Sequence, residues 1–237
     1  MTRRLQELFG DISPFEAAVY AGVLGVLAAG VIMSWTAPEM FLNGFVTEDG
    51  PVEWLTVPAF LALAFLSGRR ALAGRRAGAL TFAAFWALAA AACVFAAGEE
   101  LAWGQRLLKF QPPAFFLEHN SKLETSVHCL VLFGVDINYP VFEHGLGALL
   151  VFYLFVLPPL CARGGKLGPL AEKYAVPLPR GRQSVLFIFF YCLTLLASAG
   201  GSEMVELAGA WQFLAIAARP ANWDAVKARH GLPPGLY

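Results

Sequence analysis

Charge is scarce in this sequence. Asp, Glu, Lys and Arg make up 14% of its 237 residues, against about 25% in ordinary soluble domains. Histidine is rarer still, at four residues. His119, His128, His144 and His230 form neither an HxxxH nor an HExxH pair, which excludes the usual multi-histidine zinc sites. A nucleophile elbow, a phosphate loop and a dinucleotide fingerprint are absent as well. Cys93, Cys129, Cys161 and Cys192 lie in or beside apolar runs without metal-ligand spacing, and read as packing thiols. The net charge of +0 and the lack of a dense basic tract exclude nucleic acid as a partner.

What is abundant is apolar sequence. Hydrophobic residues reach 58%, with a mean hydropathy of +0.60. Runs of about 20 residues, the length that crosses a hydrocarbon core, recur along the chain. They predict an all-α integral membrane protein with spans at 17–36, 53–68, 77–98, 145–161 and 184–202. The whole length 1–237 reads as one helical domain, with a cytoplasmic segment 1–16 and a polar tail 219–237. Ser13-Pro14-Phe15-Glu16 is a capping box with proline at the first helical position, opening the first span. No cleavable signal peptide is expected, because Asp11 and Glu16 separate Arg3 and Arg4 from an apolar run long enough to span.

Basic residues set the expected orientation. Arg69, Arg70, Arg75 and Arg76 fill one short link, and Arg163, Lys166, Lys173, Arg180 and Arg182 fill another. The 37–52 loop has Glu39, Glu48 and Asp49 but no Lys or Arg. The positive-inside rule then places the N-terminus and both basic links in the cytoplasm. Parity forbids an odd number of crossings in 123–144, so that stretch is expected to be one re-entrant or interfacial segment beside five crossings. Glu206 to Ala218 is apolar but short, and is expected at the outer interface or packed beneath the acids.

With that topology the unusual acids fall at one face. An ionised carboxylate at bilayer depth is costly unless paired, protonated or metal-bound, so such acids are candidates for function. Glu99 and Glu100 end one run, with Gln105 and Arg106 following, and on a continuous helix Glu99, Trp103 and Arg106 would share a face. Arg106 could then neutralise Glu99, as part of a site or as an interfacial anchor. Glu124 and His128 are four apart, a half-site for zinc or iron or an acid–base couple; Ser121 to Glu124 also fits a capping box. Glu203 and Glu206 stand one turn apart and can bridge a metal or share a proton. Glu53 sits in the first turn of a helix, where the dipole favours an acid. Glu143 and His144 are supporting candidates.

Three blocks, Glu48-Asp49-Gly50-Pro51-Val52-Glu53, Gly98 to Arg106 and Glu124 to His128, resemble an uncharacterised bacterial family of small multi-span proteins. The resemblance covers about half the chain and implies a bacterial inner-membrane location, but no activity. Members tend to carry Asn where this chain has Ser126 and Cys129. Glu53-Trp54 before an apolar helix is also similar to membrane hydrolases of the alkaline ceramidase and adiponectin receptor type, which place zinc near one end of a bundle. The expectation is therefore a membrane-embedded enzyme acting on a membrane lipid or small amphiphile. A divalent metal would be held by Glu124, His128 and Glu203 or Glu206, with Glu53 or Glu100 moving protons and Arg106 binding an anionic head. The alternative is a proton-coupled carrier or an accessory subunit.

Overall fold

The structure is a computed structural model that describes residues 12–233 and 235, apart from the side chains of Tyr139 and Glu143. Arg3, Arg4, Asp11 and Pro234 thus lie outside the described residues, as does the side chain of the candidate Glu143.

The chain is all-α in its framework. Helix α1 is Pro14–Thr36, α2 is Pro51–Arg76, α3 is Leu80–Glu100 and α4 is Pro140–Ala162; all four are long and apolar enough to cross a membrane. Helix α1 starts as the sequence predicts: Glu16 N–H donates to Ser13 Oγ at 3.1 Å, and Ser13 N–H donates back to Glu16 Oε2 at 3.2 Å. Helix α4 is irregular, with π-helical turns at Asn138–Gly145 and Phe152–Val156. The second of these turns leads into Pro158 and Pro159, which supply no backbone N–H to the ladder.

The fifth predicted span, 184–202, is not one helix. Helix α5, Gly181–Thr194, stops early; Gly200 adopts a left-handed φ of 63° and the chain reverses into α6, Gly201–Ala218. A side chain at Gly200 would meet Val46 Cγ2 at 2.9 Å, so the reversal is tied to glycine. Helix α6 therefore runs from the acids at Glu203 and Glu206 into the packed bundle beneath them, the second of the two expected placements. It runs antiparallel to α5, and Gln212 Nε2 donates to Gln183 O at 2.8 Å near the far end. It is buried against α1, α2 and α5, with Met204, Leu207, Ala208, Ala215 and Ile216 almost wholly enclosed. The polar tail of the sequence reading also contains structure: α7, Trp223–His230, tucks Trp223 and Val226 against Phe82 and Trp86.

These helices have two polar ends separated by an apolar interior. At one end Glu16, fully buried, accepts from Arg182 Nη2 at 2.9 Å, Gln183 Nε2 at 3.0 Å and Arg219 Nη1 at 3.2 Å. At the other lie the first residues of α2 and α6 and the last of α3. Between them pack Val23, Leu27, Phe41, Phe190, Met204 and Leu207.

Candidate functional site

The acidic end is built around a broken helix. Helix α3 stops at Glu100, and Ala102, Trp103 and Gly104 all take positive φ, at 43°, 54° and 81°. Two of these are not glycine, and left-handed backbone costs an L-residue about 1–2 kcal/mol. The reversal folds the Trp103 ring onto Gly98, where a Cβ would already meet ring carbons at 3.0 Å. Trp103 Nε1 then donates to Glu99 Oε1 at 2.7 Å.

Arg106 consequently does not neutralise Glu99. It faces the start of α2 instead. Its Nε donates to Asp49 Oδ1 at 3.0 Å, and Nη1 to Glu48 Oε2 at 2.5 Å and Glu124 Oε1 at 3.0 Å. Its Nη2 donates to Glu53 Oε1 and, at 2.8 Å, to the Glu100 carbonyl. The same Glu53 carboxylate accepts from the Asp49 backbone N–H, closing the first turn of α2. Every nitrogen of the guanidinium is engaged, so it stays charged: its pKa is raised, the pull of Glu53 and Glu124 outweighing burial. This uses the fork of five donors that only arginine has. Lys122 joins through Glu48; burial opposes both charges, but their pairing lowers the Glu48 pKa and raises that of Lys122. An anionic head group has no free edge of Arg106 to bind. Its place is structural, pinning the 48–53 turn to the 120–128 loop.

That loop is not the helix read from Ser121 to His128. Asn120 takes over the cap: its Oδ1 accepts from the N–H groups of Lys122 at 2.8 Å and Glu124 at 3.2 Å. Its Nδ2 donates to Ser126 O at 2.7 Å and Ser126 Oγ at 3.1 Å. An Asn side chain competing for nearby N–H groups in this way favours a turn over a helix. Gln105 Oε1 fastens the loop by accepting from Thr125 N–H at 2.7 Å and Oγ1–H at 2.9 Å. A two-strand hairpin follows within the stretch expected as a re-entrant or interfacial segment, β1 (Val131–Leu132) with β2 (Val135–Asp136).

Glu124 and His128 are thereby separated. Glu124 turns to Arg106, while His128 turns to Glu99. The buried Glu99 Oε2 accepts from Val127 N–H at 2.6 Å, His128 N–H at 2.9 Å and His128 Nδ1 at 3.1 Å. The imidazole remains 28% exposed and edges against Phe142. Burial alone would lower its pKa, but its contacts with Cys129 and the Glu99 carboxylate raise it to about 10. The ring is an imidazolium at neutral pH, with Nδ1–H committed to Glu99.

Glu100, half-buried, is within electrostatic reach of Glu206, Glu53, Glu203 and His128. Glu203, also half-buried, faces Lys122, Glu48 and His128, and Glu206 is exposed one turn further along α6. Of the residues singled out in the sequence, Glu53, Glu99, Glu100, Gln105, Arg106, Glu124, His128, Glu203 and Glu206 thus occupy one end of the bundle. Asn120, Glu48, Asp49 and Lys122 belong with them and were missed as site residues. Glu48 and Asp49 were visible as acids beside a Gly-Pro turn; Lys122 carried no signal. His144 is exposed on α4.

Of the four residues expected to hold a divalent metal, Glu124 is bonded to Arg106 and His128 to Glu99, while Glu203 and Glu206 stand on α6. Among the described residues no three His, Cys, Asp or Glu side chains converge as a metal-binding group. Comparison with family profiles, with curated proteins and with solved structures finds no match to this chain.

Proposed function

We propose that the chain is a multi-pass protein of the bacterial inner membrane, with a cytoplasmic N-terminus, that acts on a membrane lipid or small amphiphile from the outer face. The work is acid–base chemistry at His128. The observation that carries this reading is the Glu99–His128 pair: a buried carboxylate fixes Nδ1 and leaves the ring partly open. An imidazole with a pKa of about 10 is protonated at neutral pH, which suits a general acid better than a base. Glu100, Glu203 and Glu206 are the groups that accept or relay the proton; Glu100 and Glu203 are within electrostatic reach of the ring, and Glu206 is within reach of Glu100. Arg106, Gln105 and Glu53 hold the geometry, and no step runs through a metal.

In this reading α5 and α6 form a helical hairpin and the chain crosses six times. The proton-coupled carrier is the weaker alternative, because apolar packing by Leu27, Phe41, Met204 and Leu207 separates the two polar ends. The discriminating experiment is incubation of the purified protein in liposomes of bacterial lipid extract, followed by mass spectrometry of the lipids. New lipid-derived products support the enzyme; solute flux with unchanged lipids supports the carrier.

A further inference from the structure

The connection between α3 and α4 carries an apolar hairpin. The pairs Val131–Asp136 and Leu132–Val135 leave a two-residue turn, Phe133-Gly134. Both turn residues take positive φ, at 52° and 79°, as the primed turn that suits a hairpin's twist requires. Asn, Asp or Gly normally stands first in such a turn. Phenylalanine there strains the backbone by about 1–2 kcal/mol. The fold does not bury its ring in return: Phe133 is fully exposed.

The apolar character extends beyond that ring. Val135 is exposed as well, and from Cys129 to Val135 the chain has no Asp, Glu, Lys, Arg or His. Further back in the same connection, Leu107, Leu108, Phe110 and Phe115 are also exposed. Apolar groups exposed together mark a surface that meets a membrane or another protein.

The chain's own attachments favour the membrane. Both ends of the connection run into helices long and apolar enough to cross one. Six residues separate Phe133 from Pro140, where α4 begins, so the tip lies within about 25 Å of extended chain from that helix. Asp136 sets the polar limit of the hairpin. It is exposed and stands two strand residues behind the turn, about 7 Å from the tip. Interfacial elements sink their apolar face by a similar amount, about 5–10 Å.

We infer that the Phe133 tip inserts into the outer leaflet, where its partner is lipid hydrocarbon. The inference rests on the membrane topology proposed above. His128 stands five residues before Phe133, at most about 18 Å away along the chain. A tip seated in the leaflet therefore keeps the imidazole close to the lipid head groups.

The test uses the full chain in nanodiscs of bacterial lipid extract, with a nitroxide on Phe133→Cys in a cysteine-free background. Electron paramagnetic resonance reads collisions of the label with oxygen, which concentrates in hydrocarbon, and with a water-soluble nickel chelate. Leu88→Cys, exposed on α3, gives the hydrocarbon reference, and Asp224→Cys, exposed on α7, gives the aqueous one. The ratio of oxygen to nickel collisions at 133 should exceed that at 224 several-fold and approach that at 88. A ratio at 133 equal to that at 224, while 88 reads as hydrocarbon, overturns the inference and leaves the topology standing. A nickel-accessible label at 88 overturns both. A label at 133 shielded from both reagents is covered by protein, and that too overturns the inference. If Phe133→Cys does not fold, Val135→Cys carries the test.

Discussion

Glu99 Oε2 stands 3.1 Å from His128 Nδ1 and also accepts the backbone N–H groups of Val127 and His128. One carboxylate therefore fixes both the loop and the ring it carries. The pairing has a pH signature. In the folded chain His128 has a pKa of about 10, against an unfolded value of about 6.5. A group raised on folding contributes stability that is complete below the unfolded pKa and disappears as pH rises through the folded one. The melting-temperature gap between wild type and His128→Ala should be constant below about pH 6.5 and close between that and about pH 10. A gap that widens with pH would mean the imidazole is neutral.

Arg106 should behave as a structural keystone. Arg106→Met leaves Glu53 and Glu124 near one another without their cation, a loss of roughly 3–5 kcal/mol for a buried pair broken on one side. Arg106→Lys should recover only part of this, since an ammonium cannot span Asp49, Glu48 and Glu53 together. Unfolding in detergent reads both. Wild-type stability in Arg106→Met would remove the residue from the frame.

The sequence shows this site better than it shows the path of the backbone. Carboxylates beside apolar runs are visible by composition, because hydrocarbon tolerates so few of them. The left-handed turn at Ala102 and Trp103 is not, since neither residue type favours it; it is sustained by the Trp103–Glu99 and Arg106 bonds that form only in the folded chain. The 121–128 stretch reads as a capped helix only while Asn120 is ignored. The four long spans are legible as hydropathy. Helix α6 escapes that test because protein covers it: Gln212 bonds Gln183, and Ala208, Ala210, Ala215 and Ala217 are buried.

Glu16 shows how a lone acid can mislead. In the sequence it reads only as part of a helix cap. In the fold it caps α1 and also joins Arg182, Gln183 and Arg219 with no exposed surface. Glu16→Gln should lower stability by roughly 3–5 kcal/mol while leaving turnover per folded molecule unchanged. The exposed Glu39→Gln is the proper silent control. Equal melting temperatures for the two variants would contradict this.

The six-crossing topology can be checked by labelling single cysteines in a cysteine-free background. Asn43→Cys should react from the outer side, and Ala77→Cys and Asp224→Cys from the cytoplasm, all three positions being exposed. Five crossings would place Asp224→Cys outside, so the label at that position decides whether α6 returns through the membrane.

In the proposed function, His128 handles a proton for chemistry on a lipid. Its most direct test compares wild type, His128→Ala and Glu39→Gln in liposomes of bacterial lipid extract, quantifying lipid-derived products by mass spectrometry at neutral pH. The expected result is product formation by wild type and Glu39→Gln, and a loss of about 100-fold or more in His128→Ala that still folds and inserts, in line with the usual contribution of a general acid. Undiminished product formation by His128→Ala would show that the imidazole takes no part in the chemistry.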